Sequence, residues 1–209
     1  MRYISIDIET TGLDFENCQI LEIGAIIEDT NKQLAFNQIP KFSCIVKHDL
    51  YVGQSYAINM NARIFKILAD FVKLRGEHRA NYKKKYNILN DYEVADAFYN
   101  FLLANGYETQ IPKKEKKKPH KPKIKIVVAG KNYSAFDGRF LSDKLPKWND
   151  RFIVSHKVID PGNFYIDWKN DDEVPGLGEC KKRAGIDGEV SHDAIEDAWD
   201  VIQLLRKKY

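Results

Sequence analysis

The chain reads as an α/β protein: a mixed β-sheet flanked by helices, in which a three-strand antiparallel meander leads into strand–helix units. Three observations predict this. Residues 2–9 alternate strictly, with Ile4, Ile6 and Ile8 on one face and Tyr3, Ser5, Asp7 and Glu9 on the other. Two further β-branched runs follow across short polar segments. From residue 60 onward the apolar period changes from two to helical spacing.

The first strand ends at Thr10-Thr11-Gly12, a turn signal. A second strand is predicted over 19–28 and a third over 43–47. Met60, Ile64, Ile67, Leu68, Phe71 and Val72 then recur as a helical stripe. Residues 75–86 are polar and basic and read as an insertion. Asn90-Asp91 can cap the next helix, with Val94, Phe98, Phe101 and Leu102 on its stripe and Gly106 at its end. Residues 125–129 read as a buried strand, and a helix is expected from Ser134 to just before Pro146. Residues 152–158 form a further strand. Two helices close the chain, one after Pro175 and one from Ser191 to about Lys208.

A length of 209 residues suits one domain over 1–209, with a core large enough to fold without disulfides. The chain is 44% hydrophobic and 30% charged, which excludes collagen-like and wholly disordered classes. No apolar run approaches the roughly 20 residues of a membrane helix, so no membrane partner is expected. Arg2 and Asp7 leave no room for a leader peptide. Cys18, Cys44 and Cys180 are far apart and form no zinc-type pair; they read as reduced thiols, which predicts a cytoplasmic location. The net charge of +3 is uneven: residues 113–125 hold eight lysines and one glutamate, a net of +7, so the remainder carries −4. This lysine- and proline-rich insertion, at about 111–123, predicts a solvated loop or a basic arm for a polyanion.

Three clusters carry chemistry. Asp7 and Glu9, two apart on a strand, put both carboxylates on one face. Such a pair repels itself unless protonated or neutralised by a cation, and oxygen-rich sites suit Mg²⁺ or Mn²⁺. Asp137 follows a buried strand and a glycine, where α/β proteins place functional loops. His192 and Asp197 are five apart, about 140° of helical rotation. They can converge if Ser191 is the N-cap and His192 lies on the entry turn. Each cluster alone fits an ordinary solvated face; the combination and its order carry the reading.

Asp7-Ile-Glu9-Thr-Thr-Gly-Leu13, then Phe136-Asp137, then His192 and Asp197, resemble the DnaQ-like 3′–5′ exonuclease family in its histidine version, the DEDDh subgroup. The resemblance runs from residue 3 to about 205. It implies a ribonuclease H-like fold and metal-dependent release of nucleoside 5′-monophosphates from single-stranded DNA or RNA with a free 3′ end. Asp7, Glu9, Asp137 and Asp197 would hold two divalent ions, Mg²⁺ or Mn²⁺, and His192 would be the general base. Thr10, Thr11, Gly12 and Leu13 would meet the terminal nucleotide, with Met60 and Asn132 as further substrate contacts. Two departures stand out. Lys131-Asn132 precedes Asp137 where many relatives carry His-Asn one residue closer, and Asp193 follows the histidine where relatives carry Arg. An oligoribonuclease-type hydrolase of short RNA and a non-catalytic nucleic-acid-binding or polymerase-associated module are the rival readings. A homodimer and a polymerase partner both stay open.

Overall fold

The computed structural model describes residues 1–110 and 122–209. Most of the expected lysine-rich insertion, residues 111–121, lies outside the described residues. Its expected end does not, because Lys123 already begins a strand.

The meander forms as expected. β1 (Arg2–Thr10) pairs antiparallel with β2 (Ile20–Asp29), and β2 pairs antiparallel with β3 (Lys41–Lys47). β4 (Ile88–Asn90) adds parallel to β3. The strand expected over 125–129 is two strands in two sheets. β6 (Lys123–Ile126) lies between β5 (Thr109–Gln110) and β8 (Phe152–Val154), whereas β7 (Val128–Ala129) runs parallel to β1. The hydrogen bonds explain the split. The carbonyl of Ile126 accepts from Ser155 N at 2.8 Å, and that of Val127 accepts from Ile4 N at 2.9 Å. One residue therefore steps the chain between sheets. The main sheet has the order β4-β3-β2-β1-β7. The strand expected to reach residue 158 stops at Val154, and Ile159 instead bridges Ala129.

Both faces of β1 are covered, so its alternation sorts two cores rather than core from solvent. Ile4, Ile6 and Ile8 pack with Val94, Phe98 and Leu102 of α4 (Asp91–Ala104) and with Phe140 and Leu141 of α5 (Asp137–Lys144). Tyr3 and Ile26 pack on the other face against Ala198, Val201, Ile202 and Leu205 of α8 (Ala194–Arg206).

Asn90 caps α4 as expected, its backbone N–H donating to Glu93 Oε2 at 2.7 Å. The stripe at 60–72 is divided: Met60 ends α1 (Ser55–Met60), and α2 (Ala62–Lys73) buries Ile64, Leu68 and Phe71 while Val72 is exposed. The expected insertion at 75–86 is instead a helix, α3 (Gly76–Lys85), which buries no residue and so leaves no apolar period to read. α5 starts at Asp137 rather than Ser134, because residues 131–136 are turns entered through Asn132 at φ +56°. A four-residue α6 (Trp148–Arg151) seats Trp148 flat against Phe98, with ring centroids 5.6 Å apart. α7 (Leu177–Ala184) ends at Gly185 with φ +65°. α8 begins at Ala194, with Asp193 rather than Ser191 as its N-cap. The Asp193 carboxylate accepts from Ile195 N at 3.2 Å, and His192 at φ +52° cannot continue a right-handed helix.

Both ends of α8 are fixed to β2. Arg206 Nη2 donates to the fully buried Glu28 at 2.6 Å. At the other end, a Cβ on Gly24 would lie 2.2 Å from the backbone carbon of Ala194, so only glycine admits this approach. No described helix is long and apolar enough to cross a membrane.

Candidate active site

The face of β1 that carries Tyr3 also carries Asp7 and Glu9. Over Tyr3 the sheet meets the apolar C-terminal half of α8. Over Asp7 and Glu9 it meets the N-terminal turn, where Asp197 is buried. Asp7 pairs with Gly24 across the sheet and Glu9 with Glu22. The close contact at Gly24 therefore sets how near Asp197 comes to the two strand acids.

Asp137 arrives from the opposite strand edge. The N–H groups of Ile4, Ile6 and Ile8 point towards β7 by the strand's alternation, and β7 ends at Ala129. Beyond that end, Ile8 N donates to Asp137 Oδ1 at 3.1 Å. The first residue of α5 thus closes an open backbone donor and places a third carboxylate beside the Asp7–Glu9 pair.

These acids are crowded and dry. Burial, then the charges of Asp137, Asp197 and Glu9, hold the Asp7 carboxyl well above the usual carboxylate range. Burial pushes Glu9 up to about 7, helped by Asp197 and Glu22 and opposed by Asn61 and Arg63. Asp137 is likewise pushed up to about 7, mainly by burial, against the bond from Ile8. Asp197 is raised by burial and Asp200, and held back by Ser191, whose N and Oγ both donate to its Oδ1 at 3.2 Å. Four carboxyls reluctant to ionise together form a donor set that a hard divalent cation fits. One ligand atom each from Glu9, His192 and Asp197 lies within 4.8 Å of the others.

The five residues expected to carry chemistry line one cavity of about 430 Å³. Thr10, Gly12, Leu13, Met60 and Asn132 line it too. Thr11 does not. It is fully buried, its hydroxyl donating to Val52 O at 2.6 Å and accepting from Gln19 N at 2.8 Å. Asn132 reaches the wall with its backbone N–H held by Asp160 at 2.9 Å, while its side chain accepts from Lys131 Nζ at 2.6 Å. Asp193 is turned away from His192: besides capping α8 it pairs with Arg63 at 3.1 Å. Arg63 also donates to the buried Glu22 at 2.6 Å, tying α2, β2 and α8 together under the site.

Several lining residues were not anticipated. Gln54, the N-cap of α1, accepts from Leu13 N at 3.0 Å, and Tyr56, in the first turn of that six-residue helix, is 76% exposed at the rim. Lys131 supplies a cation to an acidic wall. Glu22, which does not line the cavity but holds Arg63, carried a signal in the sequence, as a lone charge inside a run of isoleucine and leucine.

No family model matches the chain, and no curated protein matches it by sequence. Solved structures match over nearly all of it. A zinc-bound complex of E. coli exonuclease I with single-stranded DNA covers 98% of this chain and 39% of its own, at 15% identity and a TM-score of 0.58. E. coli exonuclease I bound to a dT13 oligonucleotide covers 98% and 40%, at 16% identity and a TM-score of 0.54. A product-bound exonuclease I covers 99% and 42%, at 16% identity and a TM-score of 0.55. The chain spans about two fifths of the length of these proteins. At such identity the likeness establishes the fold, a mixed sheet flanked by helices as in exonuclease I, in agreement with the ribonuclease H-like fold expected from the motifs.

Proposed function

We propose that this chain is a metal-dependent 3′–5′ exonuclease of the DnaQ-like, DEDDh type, with residues 1–209 acting as one exonuclease unit. One observation carries the reading. Four acids and a histidine, from β1, α5, α8 and the loop before α8, converge on one cavity at the end of a central strand. The fold shared with exonuclease I in complex with single-stranded DNA supports it. The buried, unpaired cysteines fit a reducing, cytoplasmic compartment.

Asp7, Glu9, Asp137 and Asp197 would hold two divalent cations, Mg²⁺ or Mn²⁺. When bound, these supply charge neutralisation of the phosphodiester and stabilisation of the attacking and leaving oxygens. His192, exposed at the mouth, takes a proton from the attacking water. The new P–O bond forms from that water as the bond from phosphorus to the 3′ oxygen of the penultimate nucleotide breaks. That oxygen takes a proton from solvent water, the terminal nucleoside 5′-monophosphate is freed, and His192 returns its proton to solvent. Leu13 and Tyr56, both mostly exposed at the rim, and Met60 and Phe136 offer apolar faces on which any base can stack. Thr10 and Gly12 bring the turn after β1 against the terminal sugar.

The test is digestion of matched DNA and RNA oligomers, labelled at either end, with Mg²⁺, Mn²⁺ or chelator. The reading expects metal-dependent shortening from the 3′ end and a labelled mononucleotide from 3′-labelled strands. Internal cuts, or intact strands under every condition, would overturn it.

A further inference from the structure

Residues 62–86, which span α2 and α3, carry eight lysines and arginines against Asp70 and Glu77, a net of +6. The whole chain carries +3, so everything else sums to −3. This is a basic surface on an otherwise acidic protein, and it is continuous with the candidate active site. Gln54, Tyr56 and Met60 line the cavity, and α2 begins two residues after Met60. Arg63, in its first turn, pairs with Glu22 and Asp193 beneath the acids. Arg63, Lys66 and Lys73 lie on the exposed face of α2, at spacings that keep them on one side.

α3 follows in the chain and adds Lys83, Lys84 and Lys85 to the basic stretch. It buries none of its ten residues, so burial of its own side chains does not account for it. It is held on α2 by Arg79, whose guanidinium stacks 4.0 Å from the Phe71 ring and donates to the Phe71 carbonyl at 3.0 Å. Among the described residues, no carboxylate lies within 4.0 Å of Lys66, Lys84 or Lys85.

From these observations we infer that the exposed faces of α2 and α3 form a cationic track for the phosphate backbone of a single strand, upstream of the 3′ end that the cavity takes. The inference rests on the site reading above and adds to it a substrate long enough to leave the cavity. A twelve-residue helix spans about 18 Å. At about 3.4 Å per stacked nucleotide, a strand reaches α3 roughly five nucleotides from its end. Contacts of this kind read charge and not base, so the track carries no sequence preference.

The experiment compares single-stranded oligothymidylates of three and twelve residues, bound to an Asp137→Asn protein in Mg²⁺ and followed by fluorescence anisotropy over a range of salt. The twelve-mer is expected to bind at least tenfold more tightly. Lys66→Ser/Lys84→Ser/Lys85→Ser should remove most of that advantage. It should also flatten the twelve-mer's slope of log K against log salt by about 2, at about 0.7 per phosphate contact. A triple variant that keeps both the advantage and the slope overturns the track, as expected if α3 docks a protein instead. Equal losses for the three-mer and twelve-mer also overturn it, since the lysines would then act at the cavity. Failure of the site reading looks different: the unsubstituted protein leaves both strands intact with Mg²⁺ or Mn²⁺ while the length-dependent binding persists.

Discussion

The backbone amide of Ile8 donates to Oδ1 of Asp137 across 3.1 Å, so the residue between the two strand acids grips the third acid. Two effects of this carboxylate oppose each other. Its oxygen satisfies a buried donor, worth about 1–3 kcal/mol if left unpaired. Its charge adds to a crowded acidic cluster. Asp137→Asn keeps an acceptor and removes the charge, whereas Asp137→Ala removes both. In chelator at pH 8 the Asn variant should melt above the unsubstituted protein and the Ala variant below the Asn variant. Both should lose turnover by on the order of 10³-fold or more, as for single members of a unit that acts together. Equal melting temperatures for the two variants would show that the Ile8 bond adds nothing.

The same crowding makes the metal-free fold sensitive to alkali. Glu9 and Asp137 ordinarily titrate near about 4.3 and 3.9. In the fold both are pushed up to about 7. A raised carboxyl favours the folded state while it is protonated. Its contribution is full below about pH 4 and is lost as pH rises through about 7. Asp171, held down at about 2 by Arg183, works in the opposite sense, but only below about pH 4. Between pH 5 and about 8.5 the melting temperature in chelator should therefore fall. Mn²⁺ should raise it more at pH 8 than at pH 5.5, since protons compete for the same oxygens. A flat or rising curve in chelator would contradict the raised values.

His192 stands within ligand distance of the cluster yet is exposed at the cavity mouth. As general base, its replacement by alanine should lower turnover by roughly 10²–10⁴-fold. Mn²⁺ affinity, measured by calorimetry, should be nearly unchanged. A parallel loss of affinity would make His192 a ligand, and the base would have to be sought elsewhere.

How much of this was legible in the sequence depended on whether a residue's role left a periodic trace. Alternation placed Asp7 and Glu9 on one face of a strand, and the structure keeps them there. The helical stripe of α4 was visible because that helix buries one face. α3 buries nothing and α6 is four residues long, so neither leaves a period to detect. The step at Val127 is invisible for another reason: both strands it joins are apolar, and only the hydrogen bonds separate them. Thr11 shows the limit of motif reading. It sits inside the Asp7–Leu13 motif, yet both its backbone and its hydroxyl are bonded to the protein rather than turned to the cavity.

Lys181 and Asp200 form a buried ion pair between α7 and α8, each under 10% exposed, and Lys181 Nζ also donates to Glu189 O at 3.1 Å. Glu189 lies on the loop that delivers His192. Breaking such a pair strands one charge, so Lys181→Met should cost roughly 3–5 kcal/mol in urea unfolding. Removing both charges with Lys181→Met/Asp200→Leu should recover most of that loss. Turnover should stay reduced in the double variant, because the tether to Glu189 remains absent. Full activity in a restored fold would show that the tether does not matter for the loop.

Gly24 and Gly178 make opposite predictions. On Gly24 a Cβ meets the backbone of Ala194 at 2.2 Å, and backbone cannot rotate aside. Gly24→Ala must push the start of α8 off the sheet, and with it Asp197 and the loop carrying His192. Overpacking of this kind costs roughly 1–3 kcal/mol. Turnover should fall further than stability alone explains, since displacements of about 1 Å at a reacting site can cost 10²-fold. On Gly178, in the first turn of α7, a Cβ would find only Val190 Cγ2, at an ordinary 3.6 Å. Gly178→Ala should therefore stabilise, by up to about 1 kcal/mol through reduced backbone entropy of the unfolded chain. Val190 also lines the cavity, so the added methyl should brace that wall without entering it. Melting temperature and turnover, measured together for both variants, check the pair. Unimpaired turnover in Gly24→Ala would mean that the α8 start has room the close contact denies it.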